Sequence, residues 1–314
     1  MGHGNLAWLR YARQDYPGAR DLMDVAMRWA GQVEHEDKRL GLESRLLVLS
    51  TFVAQGLCRF DEARTAFRAA LTRGEALGQP GLQLNAMQGL ASTDADLCLW
   101  ESSAAWATRM HDLAHTIGSV PLVAAALWHQ AYAAKSMGQH AESIPLYVKV
   151  VALSRSCGDP RKEAIALQRL GIAHRTLGHA SDAWQCLSQS HALHQTLDDA
   201  LEACITTGHA AWCELDLGLH DVALSGVSGL LERLAICALP AHETIEPRWA
   251  CQHVLQALGD ARAAPMLEQL FADVQASAAE VTDAAYRDRL TQASPVYRDI
   301  VAAYGRRGVS SAGG

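Results

Sequence analysis

The stretch Met137-Gly138-Gln139-His140-Ala141-Glu142-Ser143 is answered by Leu177-Gly178-His179-Ala180-Ser181-Asp182-Ala183 and again by Leu217-Gly218-Leu219-His220-Asp221-Val222-Ala223. The three glycines stand 40 residues apart. A fixed period of this size marks a repeat architecture, in which each unit buries its apolar face on its neighbours. Extending the same ruler finds Gln14, Cys58, Cys98 and Gly259, so that seven marks are separated by 44, 40, 40, 40, 40 and 41 residues.

Side chains around the marks repeat as well. Five residues after each mark stands a small one: Ala19, Ala63, Ser103, Ser143, Ala183, Ala223 and Ala264. Seven before it come Ala7, Thr51, Ala91, Ala131, Gly171 and Ala211, with Gln252 as the exception, and one before it Leu57, Leu97, Met137, Leu177, Leu217 and Leu258, with Arg13 as the exception. Two antiparallel helices joined by a tight turn need small side chains where their axes approach and bulky apolar ones where they diverge. A second punctuation follows 20 residues later, in Leu77-Gly78-Gln79-Pro80, Ile117-Gly118-Ser119-Val120-Pro121, Cys157-Gly158-Asp159-Pro160 and Leu197-Asp198-Asp199-Ala200. Glycine past a helix end takes the left-handed cap conformation, and proline just beyond opens the next helix. Each unit is therefore predicted to be two helices of about 16 to 18 residues, each about 25 Å long.

These residues resemble tetratricopeptide repeats, which carry a small residue in the first helix, a Gly-x-aromatic turn and an alanine early in the second. Phe60, Trp100 and Tyr16 hold the aromatic place, and His140 and His220 depart from it. The resemblance covers residues 4 to 280 or so. The usual unit is about 34 residues, so the longer period is similar to the arms of large bacterial ATP-dependent or cyclase-type regulators and of peptide-sensing regulators. The expected fold is all-α: an α-solenoid, a right-handed superhelix of about seven hairpins over 1–280, closing helices over 281–305 and a disordered tail over 306–314. Because Asn5-Leu6-Ala7-Trp8 already reads as helix, the chain is expected to be the C-terminal part of a longer protein. In the closing region Ser294 is a candidate N-cap and Pro295 a first helical residue.

Composition bounds the function. Net charge is −7, which argues against a nucleic-acid groove built on Lys and Arg. Eight cysteines show no CxxC pair or zinc spacing, and Cys186, Cys204 and Cys213 sit in apolar helical stripes, as buried thiols of a reducing compartment do. With no signal-peptide pattern and no long apolar run, a cytoplasmic protein without membrane contact is expected. Gly-x-x-x-x-Gly-Lys, Gly-x-Ser-x-Gly and His-Glu-x-x-His are all absent, so neither enzyme activity nor a cofactor is expected. The pairs His111/His115 and His191/His194 could each face one metal but lack a third ligand, so no metal is expected. Asp94 and Asp96 read as a solvated pair, and Cys58 and Cys98 as small stand-ins for the turn glycine.

The remaining candidate is a groove. In tetratricopeptide arrays the first helices line the concave surface where ligands bind. Residues ten, six and three before a mark share one helical face, because their spacings are i, i+4, i+7. This face holds Trp128, Tyr132 and Lys135, then Gln168, Ile172 and Arg175, then Trp212; the place nine before the mark adds His129, Arg169 and His209. Trp8, Phe52, Trp249 and His253 continue the series towards the ends. Aromatics beside cations suggest a peptide or anionic partner, while core packing of the aromatics and a solvated face for Arg169 and Arg175 stand as the plain alternatives. The expected function is non-enzymatic: an arm binding a protein segment, a peptide or a small-molecule effector and passing occupancy, by change of pitch or self-association, to a signalling or transcriptional output. A stand-alone scaffold is the alternative.

Overall fold

The computed structural model describes residues 15–56, 60–237, 239–281 and 284–310. Trp8, Gln14 and Cys58 lie outside the described residues, as does the side chain of Phe52. Among the described residues there are helices and turns and no strand. The helices are α1 (Tyr16–Gly31), α2 (Glu36–Gly56), α3 (Phe60–Ala76), α4 (Pro80–Asp96), α5 (Trp100–Thr116), α6 (Val120–Ser136), α7 (His140–Cys157), α8 (Pro160–Thr176), α9 (Ala180–Thr196), α10 (Ala200–Asp216), α11 (His220–Ile236), α12 (Ile245–Ala257), α13 (Ala263–Ala279), α14 (Ala284–Ala293) and α15 (Pro295–Ser310), with a 3₁₀ turn at Ala241–Thr244 before α12. The fold is an all-α solenoid of consecutive helix pairs, as the period predicts.

The turns explain the ruler. Gly178 donates to Arg175 O at 2.9 Å and His179 to His174 O at 3.0 Å; Gly138 with Gln139, and Gly218 with Leu219, repeat both bonds. This pair of bonds satisfies carbonyls that a helix end leaves open, and it requires a left-handed residue. Gly178 supplies it with φ +80°, whereas Cys98 and Asp198 adopt it at +55° and +53° without being glycine. The mark is thus a backbone conformation that glycine merely makes easy.

Close approach is equally visible. A Cβ on Gly171 would stand 2.7 Å from Leu187 Cγ and 3.0 Å from the Ala183 carbonyl oxygen. Two hairpins earlier, Ser103 Oγ donates to the Ala91 carbonyl at 2.7 Å, tying the two small places together. Two expectations are corrected. In the last pair the buried small residue is Ala263, not Ala264; α13 starts four residues after its mark, where α7, α9 and α11 start two after theirs. The apolar residue before the mark is buried at Leu97 but exposed at Leu177 and Leu217, because it sits at the tip of the hairpin.

The chain divides into two compact units, Met1–Ala133 and Ala134–Gly314. The core of the first gathers Phe67, Leu84, Leu90 and Met110, all fully buried. Asp94 is also fully buried there, not solvated: the Arg64 guanidinium pairs with it at 2.7 Å, and Trp106 Nε1 and Ser102 Oγ donate to it. In the second unit, α8 packs on α7 and α9, and α10 packs on α9, α11 and α12. Leu187, Cys213, Val227, Leu230 and Leu255 form its interior. Its last helix, α15, lies on α12, α13 and α14. Ile300 is fully buried against Ile245, Leu270 and Val274, flanked by Val296, Tyr297 and Val301. With this apolar stripe docked, α15 runs on to Ser310, where a tail from 306 is expected from the sequence.

Candidate functional site

The second unit encloses a cavity of about 550 Å³. One wall is built from first helices: Lys135 at the end of α6, Ile172 and Arg175 on α8, His209, Trp212 and Asp216 on α10, and Glu246 and Trp249 on α12. These come together because one helical face recurs every two helices. The opposite wall is the start of α15, through Pro295, Val296, Arg298 and Asp299. A second cavity of similar size continues past Trp212 and Trp249 to His253, Leu267, Ala303 and Arg306.

An aromatic ladder joins the two cavities. The Arg175 guanidinium lies 3.5 Å from the centroid of the Trp212 ring. The His253 ring stacks on Trp212 at 3.7 Å, and Trp249 meets His253 edge-on at 6.2 Å. Arg175 Nε is buried and meets no acceptor among the described residues. A stacked, partly desolvated guanidinium of this kind is pre-organised to receive a carboxylate or another planar anion.

Behind the ladder is a buried charge cluster. Arg169 NH1 donates to Glu246 Oε1 at 2.7 Å, and His209 Nε2 stands 3.4 Å from the same oxygen. Burial alone would raise the Glu246 pKa, but Arg169, His209 and Lys135 together hold it well below the usual carboxylate range. Burial, with Arg169 and Arg175 nearby, brings the Lys135 pKa down to about 8. Burial likewise lowers His209 to about 4, in spite of the Glu246 carboxylate, so its imidazole is neutral near pH 7.

A tetratricopeptide repeat family profile matches residues 122–196. Residues 122–196 are thus tetratricopeptide-like in sequence. Solved structures agree with this at the level of fold. The apo form of RapI is similar over 99% of this chain and 98% of its own, with a TM-score of 0.61 and 12% identity. NprR, solved in complex with its cognate peptide NprX, is similar over 93% of this chain and 82% of its own, with a TM-score of 0.62 and 11% identity. A signal transduction ATPase with numerous domains and a tetratricopeptide repeat sensor, from Pyrococcus horikoshii, matches 94% of this chain with 44% of its own, at a TM-score of 0.63 and 10% identity. No curated protein matches the sequence.

In the second unit, Lys135, Ile172, Arg175, His209 and Trp212 line the cavity. Arg169 lies behind them with its side chain 12% exposed, so the solvated alternative for this residue is corrected: its charge is held inside by Glu246. Gln168 is a second correction. It is fully buried away from the groove, and its Nε2 donates to Thr206 Oγ1 at 2.9 Å, to Glu202 O at 3.1 Å and to the Glu202 carboxylate at 2.9 Å. Ten residues before the mark, the α8 face has already turned towards α10. In the first unit, Trp128 and Tyr132 stack at 5.1 Å, Trp100 meets Tyr132 edge-on at 5.9 Å, and burial lowers His129 to about 4.

Glu246, Asp216 and α15 complete the site and escape the sequence reading. For Glu246 a signal exists: it stands thirteen before its mark, where the preceding units carry Ala125, Ile165 and Ile205. No helix among the described residues is long and apolar enough to cross a membrane.

Proposed function

We propose that this chain is a non-enzymatic binding module whose second-unit groove takes a peptide or an extended protein segment, with Arg175 receiving a carboxylate of that ligand and Trp212 and Trp249 packing against its apolar side chains. The carrying observation is Arg175, stacked on Trp212 at the cavity wall with Nε lacking an acceptor among the described residues. A cavity of about 550 Å³ suits two or three side chains rather than a whole folded domain. The structural neighbours support the same reading: NprR is solved with its cognate peptide, and a Rap protein, at a TM-score of 0.50, with Competence and Sporulation Factor. A signalling or transcriptional regulator is the setting this reading favours.

A peptide array tests it, with acidic and carboxylate-terminated peptides compared with their amidated or Asn/Gln counterparts. The wild type is expected to retain the carboxylate forms, and Arg175→Gln to weaken capture roughly tenfold or more at unchanged helical content. Equal capture by Arg175→Gln refutes the assignment. Arg169 is unsuitable for this test, because its loss strands Glu246 in the interior.

A further inference from the structure

We propose that the turn between α8 and α9 is a divalent transition-metal site, with His174, His179 and Asp182 as ligands and water completing the shell. Ligand atoms of these three residues lie within 4.8 Å of one another, and the two imidazole rings are 5.8 Å apart between centroids. His174 belongs to the last turn of α8, His179 caps the start of α9, and Asp182 sits in its first turn. Left-handed Gly178 folds the chain back between them, and the bond from His179 N–H to His174 O fixes how far the two histidines can separate.

The register of the repeat makes this turn exceptional. The three ligands stand at the positions four before, one after and four after the mark Gly178. In the first unit the outer two of these are Asp94 and Ser102, which hydrogen-bond to each other. The other trios among the described residues are Ala134, Gln139 and Glu142, then Glu214, Leu219 and Val222, then Leu255, Asp260 and Ala263. Only the hairpin marked by Gly178 places a metal-ligating side chain at all three, among the described residues. The side chains are also uncommitted. His174 Nδ1 is buried with no hydrogen-bond partner, and His179, although at an N-cap, makes no capping bond with its side chain.

Zinc binds imidazole nitrogen at about 2.0 Å, so donors around a tetrahedral ion sit roughly 3.3 Å apart. Small rotamer changes in the exposed His179 and Asp182 close the difference. Two imidazoles and one carboxylate select zinc, cobalt, nickel or copper over magnesium and calcium. The sequence reading expects no metal because it looks for histidine pairs along single helices, whereas these ligands straddle a turn. A bound ion would clamp the end of α8 to the start of α9, where Thr176, Gly178 and Ala180 border the cavity. This inference stands independently of what the groove binds.

The test uses the full untagged chain, titrated with Zn²⁺ by calorimetry and with Co²⁺ by visible absorption. The expected result is one equivalent bound with a tetrahedral or five-coordinate cobalt spectrum. His179→Ala and Asp182→Asn, both exposed and compatible with the fold, should each weaken affinity roughly tenfold or more. His111→Ala, at the unrelated His111/His115 pair, should bind as wild type does. Absence of a cobalt band, Zn²⁺ affinity unchanged in His179→Ala, or an equal loss in His111→Ala would each overturn the site. Preference for Ca²⁺ over Zn²⁺ would overturn the metal class.

Discussion

Arg169 and Glu246 are 77 residues apart along the chain and 2.7 Å apart in space. They join α8 to α12 across a whole intervening hairpin, in a fold whose other contacts are mostly between neighbours. With side chains 12% and 24% exposed, the pair is held together against a substantial desolvation cost.

Removing one partner should therefore cost more than removing both. Glu246→Ala leaves the Arg169 charge buried and is expected to lower unfolding free energy by about 3 kcal/mol. The double substitution Arg169→Met with Glu246→Leu should recover most of that loss, since apolar residues of similar volume carry no desolvation cost. Urea denaturation of the three proteins checks the order. If the double variant is as weak as the single one, the pair's stranded charge is not the cause.

Acid should destabilise the fold through two buried histidines before the carboxylates matter. His129 and His209 have pKa values of about 4 in the folded chain, against about 6.5 when exposed. Because the folded pKa is lowered, their contribution is complete above pH 6.5 and drains away as pH falls towards 4, by up to about 1.4 kcal/mol per pH unit for each. Glu246, whose pKa is depressed, acts in the same direction but keeps its contribution to lower pH. Urea midpoints measured across this window should fall steadily, and His209→Gln should reduce the slope.

Two glycines inside helices should respond oppositely to alanine. At Gly171 the new methyl meets Leu187 and the Ala183 carbonyl, and overpacking is expected to cost about 1–3 kcal/mol. At Gly229, in α11, nothing lies within 4 Å of an added Cβ, and the higher helix propensity of alanine should stabilise by about 1 kcal/mol. Thermal melts of the two variants should shift in opposite directions.

If the groove receives a carboxylate, its affinity should weaken as pH rises through about 8, where Lys135 loses its charge. Lys135→Arg keeps its charge far above that range, so its affinity should stay flat over the same interval. Fluorescence polarisation with an acidic peptide from the array reads both curves.

The period, the turns and the small packing places were legible because the same local solution is written several times over. Repetition averages away the exceptions, so that Cys98 and Asp198 could stand in the turn without hiding it. The groove face was legible at Ile172, Arg175 and Trp212, where helical spacing alone decides direction. Gln168 was misplaced because a polar side chain on an inner face looks like a groove residue until Glu202 and Thr206, on the next first helix, are seen to satisfy it. Asp94 looked solvated for a similar reason: Arg64 and Trp106 reach it from other helices. Glu246 stands in register thirteen before Gly259, but its partner Arg169 lies in a distant unit, and α15 acts from beyond the last mark, where a ruler derived from repeats has nothing to measure.

The helix α15 has a consequence for how such a chain can change over generations. Repeat arrays lengthen and shorten by copying or deleting hairpins, and contacts between neighbours survive the event. The second-unit cavity does not share that tolerance. An extra hairpin between α9 and α12 would carry Glu246 away from Arg169 and move α15 off the wall that Arg175 and Trp212 form. Repeat number in this unit is therefore locked by the pocket, and sequence drift there is free to alter the lining but not the count.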